Sequence, residues 1–408
     1  MRSVLRMPTK EWGTEEVFFV NSHEPRKFFV RAFLLMLSAT LLLTGCTTPS
    51  VPIESASSDG NSQEKTSEIE SETGGIDSDS RNGQADNLVS IREPLEIEVL
   101  VASDVDDSVK EIIEQSLNLA AEEWGLYWPV EYWVLGLDEQ ASEDLVNDFC
   151  QRRDSRGDQG YDDCWRRQSG SEDHGIMSYH AINAEGVATG RLMGSMGRNG
   201  AADWGVHWYA STLPWGLTNL FPDQGMNGEQ EVETVFHEYW HAVQASHIST
   251  LDWEARNELM GPVWFVEGAA EFMAKFLAEK LRSDGKMPKV LRKDYSLTYE
   301  SQMSDKLIGI DREISGECSE TTLTSIVQYS DKCVGLGYEL GAWGIAYLVS
   351  KTSDDVLLTD FLPEVEPLGF EGAFEQAFGL TLQEFNDEFM EFFKASSDSE
   401  KLSMLPRP

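Results

Sequence analysis

His237-Glu238-Tyr239-Trp240-His241 sets two imidazoles four residues apart with a carboxylate beside the first. At about 3.6 residues per turn, positions i and i+4 stack on one face of a helix. Two ring nitrogens can then converge on one ion, and Glu238 stands close enough to act as base toward a water on it without being a ligand. That is the chemistry of a zinc ion, Zn2+, with tetrahedral coordination. The flanking residues support a helix. Asn227 can cap it, Gln230 completes a capping box, and Val232, Val235, Phe236, Tyr239 and Val243 recur at helical intervals. With only 7 histidines in 408 residues, a chance HExxH is expected in roughly one such chain in a hundred.

A third protein ligand must come from elsewhere, and two candidates compete. Glu267 lies in Trp264-Phe265-Val266-Glu267-Gly268-Ala269-Ala270-Glu271, a second helix whose small residues let it lie against the first. Glu271, one turn on, faces the same way and can accept the free N–H of a ligating histidine. The other candidate is His247, six residues after His241. That is the metzincin interval, but Gln244 stands where the turn-forming glycine belongs and no Met-turn follows. Glu267 is therefore preferred. His207 reads as a packed surface histidine, and His174 and His180 have no ligand-like spacing.

HEYWH followed by WFVEGAAEF resembles the gluzincins, the thermolysin-like and aminopeptidase-like zinc metallopeptidases whose third ligand is a helical glutamate. Tyr338-Glu339-Leu340-Gly341-Ala342 resembles the Y-E-K-G-A segment of the aminopeptidase-like branch, with Leu340 in place of its lysine. FEQAFGLTLQEFNDEF resembles the helical tail of small members, so the likeness spans residues 228–395. It implies a zincin-like two-lobe α+β fold and zinc-dependent peptide-bond hydrolysis. His237, His241 and Glu267 would hold zinc, Glu238 would be the general base, and Tyr338 would hydrogen-bond the tetrahedral intermediate. The amine-holding G-x-M-E-N segment is absent, so aminopeptidase activity is not implied. The rival from another class is a non-catalytic zinc-containing surface lipoprotein that binds peptide or glycan. An intact Glu238 weighs against it, because a structural zinc site needs no base and tends to use four protein ligands.

Arg26, Lys27 and Arg31 precede an apolar run from Ala32 to Leu43, short for a membrane span and suited to a signal peptide. Leu43-Thr44-Gly45-Cys46 resembles the bacterial lipobox, which implies cleavage before Cys46 and lipid on that cysteine. Residues 1–45 are then the signal peptide of an extracytoplasmic, lipid-anchored protein of the cell envelope. Residues 46–92, rich in Ser, Gly, Asp and Glu, read as a disordered acidic tether. The formal net charge of −39 argues against nucleic acid as a partner, while the gluzincin resemblance implies a peptide or protein substrate.

Cys150 with Cys164 and Cys318 with Cys333 are the simplest of three pairings for the exported cysteines. Each closes a loop of about 15 residues, worth roughly 3 kcal/mol in the chain-entropy picture. Residues 93–226 read as an α+β lobe. Its elements are a strand at 95–102, a helix from an Asp107 cap to Trp124, a strand at 129–135 and a helix to Arg153. A polar loop stapled by the first cysteine pair follows, then short strands at 175–182, 186–193 and 203–212. The last reads as an edge strand against which a peptide can lie extended. Residues 227–396 read as mostly helical, ending in an amphipathic helix marked by Leu382, Phe385 and Phe389, with a tail at 397–408. The zinc site then falls in the cleft between sheet and helical lobes. The tryptophans near 124–133 and 204–215 are assigned to core packing.

Overall fold

Three short runs of branched and aromatic residues make the parallel part of a four-stranded sheet. They are β1 (Ile97–Val101), β2 (Val130–Val134) and β4 (His207–Ser211). β3 (Gly197–Ala201) joins β4 antiparallel, giving the order β1-β2-β4-β3. Ile97 pairs with Val130, Val130 with His207, and Gly197 with Ser211. Every residue of β2 and β4 is buried, as inner strands of a covered sheet require. The computed structural model describes residues 94–170, 175–190, 195–201, 205–220, 227–290 and 297–408. The expected signal peptide, Cys46, the tether and His174 lie outside the described residues.

The edge strand is therefore β3, and the 203–212 segment supplies an inner strand instead. GRNGA has little β propensity, and it forms a strand only because β4 is there to pair with.

Four helices surround the sheet: α1 (Asp107–Trp124), α2 (Glu139–Arg156), α3 (Tyr161–Gln168) and α4 (Ile176–Thr189). The cap of α1 is Asp106, whose carboxylate accepts from the Ser108 amide at 2.8 Å. α3 occupies the expected polar loop, so the Cys150–Cys164 disulfide joins two helices. α4 replaces the strands expected at 175–182 and 186–193. Ile176, Tyr179, His180 and Asn183 are its buried residues at helical spacing, and Gly190 ends it with φ at 66°.

The rest is helical: α5 (Gly228–Ser246), α6 (Trp253–Met260), α7 (Val263–Ser283), α8 (Tyr299–Ile314), α9 (Val334–Lys351), α10 (Leu362–Phe378), α11 (Leu382–Ala395) and α12 (Asp398–Met404). The whole is a mixed α+β structure. α5 opens with the capping box of Asn227 and Gln230. It is fixed to the end of α1, where Trp124 packs edge-on to Trp240 at 5.1 Å and the Tyr239 hydroxyl donates to the Gly125 carbonyl at 2.7 Å.

α7 lies between α5 and α9, and its small residues serve α9 more than α5. A Cβ on Gly268 would stand 2.5 Å from the Gly341 carbonyl carbon, and one on Gly341 would stand 2.4 Å from the Trp264 oxygen. The two helix backbones touch there, which only glycine permits. Cys318 and Cys333 are bonded, which pins the start of α9. The 397–408 tail folds into α12, capped by Ser397 and Glu400, with Lys401 over the Phe393 ring at 4.5 Å. Trp124, Trp128, Trp133, Trp208 and Trp215 are buried, in keeping with core packing. No helix among the described residues is long and apolar enough to cross a membrane.

Candidate metal centre

α5 carries His237 and His241 on one face, and α7 brings Glu267 against them. The three form a buried group able to hold a metal ion. The two Nε2 atoms are 3.0 Å apart, and Oε2 of Glu267 lies 3.3 Å from Nε2 of His237 and 3.6 Å from Nε2 of His241. Tetrahedral zinc, with bonds of about 2.0–2.2 Å, would separate its ligand atoms by about 3.3–3.5 Å. The observed triangle matches that within a few tenths of an ångström. Glu267 is completely buried, at 0% exposure, and its Oε2 has no hydrogen bond of good geometry. A buried carboxylate oxygen so placed needs a positive charge beside it, which a metal ion or a protonated imidazole supplies.

The surrounding groups aim the donors. The Gln244 side-chain carbonyl accepts from Nδ1 of His241 at 2.8 Å, while its amide donates to the Val266 carbonyl at 3.2 Å. Oε1 of Glu271 lies 3.4 Å from Nδ1 of His237. In the tautomer with its proton on Nδ1, each imidazole would turn its Nε2 lone pair to the centre when a metal displaces the remaining proton. The Tyr329 hydroxyl donates to Oε1 of Glu267 at 2.6 Å. Behind Glu271 stand two lysines, Lys275 at 2.9 Å and Lys306 at 2.8 Å, and Lys306 also reaches Glu339 at 3.5 Å.

Glu238 points beside this group. Asn199 of β3 donates to its Oε2 at 3.3 Å, while Oε1 is buried and makes no hydrogen bond among the described residues. Burial raises the Glu238 pKa above the usual carboxylate range, against the pull of His237 and His241. Burial works the same way on Glu267 and Glu271, but the imidazoles overcome it at Glu267 and the two lysines at Glu271, so both are held low. In the metal-free chain, then, burial dominates at Glu238 and the neighbouring positive groups dominate at Glu267 and Glu271.

His241 opens onto a cleft of about 1910 Å³, whose wall includes Arg198, Asn199 and Gly200 of β3, His207 and Trp208 of β4, Val266 and Tyr329. The geometry unites His237, Glu238, His241, Glu267 and Glu271 as the sequence suggests. His247 is not part of it. Its Nδ1 pairs with the Val243 carbonyl at 2.9 Å and its ring meets Tyr127 at 4.8 Å. His180 contacts the Leu137 carbonyl at 3.3 Å. His207 is buried in a strand rather than packed on the surface. Burial, with His241 and Arg256 nearby, lowers its pKa to about 3 and keeps it neutral. Tyr338 sits on α9 and is not among the residues lining the cleft.

Tyr329, Asn199, Lys306 and the orienting role of Gln244 escaped the sequence reading. Only Gln244 carried a local signal, three residues after His241 on the same helix. No protein-family model, curated protein or solved structure matches the chain. Its functional reading therefore rests on the arrangement of His237, Glu238, His241 and Glu267.

Proposed function

We propose that the chain is a zinc-dependent, gluzincin-type peptide hydrolase with a zincin-like cleft between its sheet and helical parts. The observation that carries this reading is the buried convergence of His237, His241 and Glu267 with the Glu238 carboxylate beside it. His237, His241 and Glu267 hold the metal. Bound zinc would supply Lewis acidity, bringing the pKa of water toward about 7 and polarising a carbonyl oxygen. Glu238 takes the proton of the attacking water and delivers it to the leaving nitrogen. Asn199 steadies Oε2 of Glu238 during both transfers.

Two further features favour a polymer as substrate. The cleft exceeds the roughly 300–1,000 Å³ of small-molecule pockets. Its wall includes β3, the edge strand of the sheet among the described residues, and an extended peptide can add to such an edge. In this reading Cys46 carries lipid after removal of residues 1–45, and residues 46–92 tether the enzyme outside the membrane.

A broad peptide-library digest, with and without chelator, tests the activity. Chelator-sensitive cleavage is expected, and Glu238→Gln should keep its metal and lose cleavage. A metal-loaded chain that cuts nothing would favour the binding-only surface lipoprotein.

A further inference from the structure

His207 is 2% exposed, and among the described residues neither its Nδ1 nor its Nε2 has a hydrogen-bond partner. The other described histidines are engaged. His180 meets the Leu137 carbonyl, His247 meets the Val243 carbonyl, and His237 and His241 meet each other and Glu267. A polar group buried without a hydrogen bond destabilises the fold. Native proteins keep such groups chiefly where water, an ion or a substrate completes them.

The strand sets the ring on the sheet face that meets α5. Side chains alternate along β4, so His207 shares a face with Tyr209, two places on and roughly 7 Å away. Tyr209 is opposite Asn199 of β3, and directly opposed residues project to the same side. That is the side on which Asn199 meets Glu238 at 3.3 Å. Trp208, turned the other way, packs edge-on to Phe149 of α2 at 5.0 Å. The His207 amide donates to the Pro129 carbonyl at 3.0 Å, so the ring is carried on a paired inner strand and held more firmly than a loop would hold it.

His207 and His241 are the two histidines among the described residues that line the cleft. Glu238 is no more exposed than His207, and its Oε1 is unpaired too. Orphaned polar atoms thus gather from both sides of the sheet–α5 interface, beside the ligand cluster. Burial keeps the His207 ring neutral, so it offers one N–H donor and one lone pair. A peptide group offers the complement, a carbonyl acceptor and an N–H donor. A carboxylate or phosphate only accepts, and would satisfy half of the ring.

We propose that His207 is a substrate-binding residue whose imidazole hydrogen-bonds the backbone of a polypeptide lying in the cleft beside the metal centre. This rests on the peptide-hydrolase reading and gives that site a residue that recognises backbone rather than side chains.

Kinetics and stability of the zinc-loaded full chain provide the test. His207→Phe supplies a ring without polar atoms. It should leave zinc affinity unchanged and denature at an equal or higher urea concentration, since it removes an unpaired buried group. KM for the best-cleaved library peptide should rise by about two- to tenfold for each hydrogen bond lost, with kcat little changed. His207→Ala, which cannot clash, should show the same rise, and His207→Gln, which keeps a donor and an acceptor, should recover part of it. Across the library every cleavage site should slow alike, because backbone is common to all peptides. A merely structural histidine would give lower stability at unchanged KM. Unchanged KM in the Phe and Ala variants, or slowing confined to particular side chains, overturns the proposal and leaves the hydrolase intact.

Fluorescence anisotropy of fluorescein-labelled casein on the Glu238→Gln chain separates the two ideas. Binding that an added His207→Phe weakens, alongside a wild type that cuts nothing, would sustain the role of His207 and defeat the hydrolase. Binding that is absent, or equal with and without the His207 imidazole, would overturn that role.

Discussion

The Tyr329 hydroxyl donates to Oε1 of Glu267 at 2.6 Å, which leaves Oε2 of that carboxylate to face both imidazoles. Tyr329 thus decides which oxygen of Glu267 serves as donor. Removing such outer partners typically costs about 10–100-fold in metal affinity. Tyr329→Phe should weaken zinc binding by that order in chelator competition. Unchanged affinity would remove Tyr329 from the site.

Tyr329 also lies within the loop closed by Cys318 and Cys333. Each disulfide should contribute roughly 3 kcal/mol to stability, so both double serine variants should denature at lower urea concentration. Only Cys318→Ser/Cys333→Ser should also lower zinc affinity, because only that loop holds Tyr329. Equal effects of the two disulfides on metal binding would contradict this link.

Lys306 and Lys275 keep Glu271 ionised, and Glu271 faces Nδ1 of His237. Lys306→Met should reduce zinc affinity by about tenfold, while Lys306→Arg should retain most of it. A chelator titration of both variants separates this positioning role from general loss of packing, which the arginine would not restore.

Burial opposes an imidazolium at His237, but Glu267 and Glu271 outweigh it and raise the pKa from 6.5 to about 9 in the metal-free chain. The folded value lies above the unfolded one. The stabilisation of the metal-free protein is therefore complete below pH 6.5 and lost as pH rises through about 9. Metal must displace that proton. Zinc affinity should climb with pH by up to about tenfold per unit across this window, with proton release seen by calorimetry in buffers of different ionisation enthalpy. Affinity independent of pH would contradict the assignment.

What was legible in the sequence is what repeats locally. The capping box at Asn227, the i, i+4 histidines and the one-turn spacing of Glu267 and Glu271 are properties of single helices, and each appears where expected. Tyr329, Lys306 and Asn199 reach the site only through tertiary packing. Tyr329 meets Glu267 across 62 residues, and no periodicity encodes that. The edge strand failed for a related reason, since Gly197–Ala201 is a strand by virtue of its partner. The small residues of α7 were noticed, but that Gly268 would meet Gly341 was not, because one helix cannot announce which neighbour it will touch.

Metal analysis of purified wild-type and Glu267→Ala chains, after zinc exposure and exhaustive dialysis, tests the central claim most directly. The expected result is one zinc per wild-type chain and none in the variant, with Glu238→Gln retaining the ion. A wild-type chain that holds no divalent metal, or a Glu267→Ala chain that binds it as tightly, would contradict the three-ligand centre.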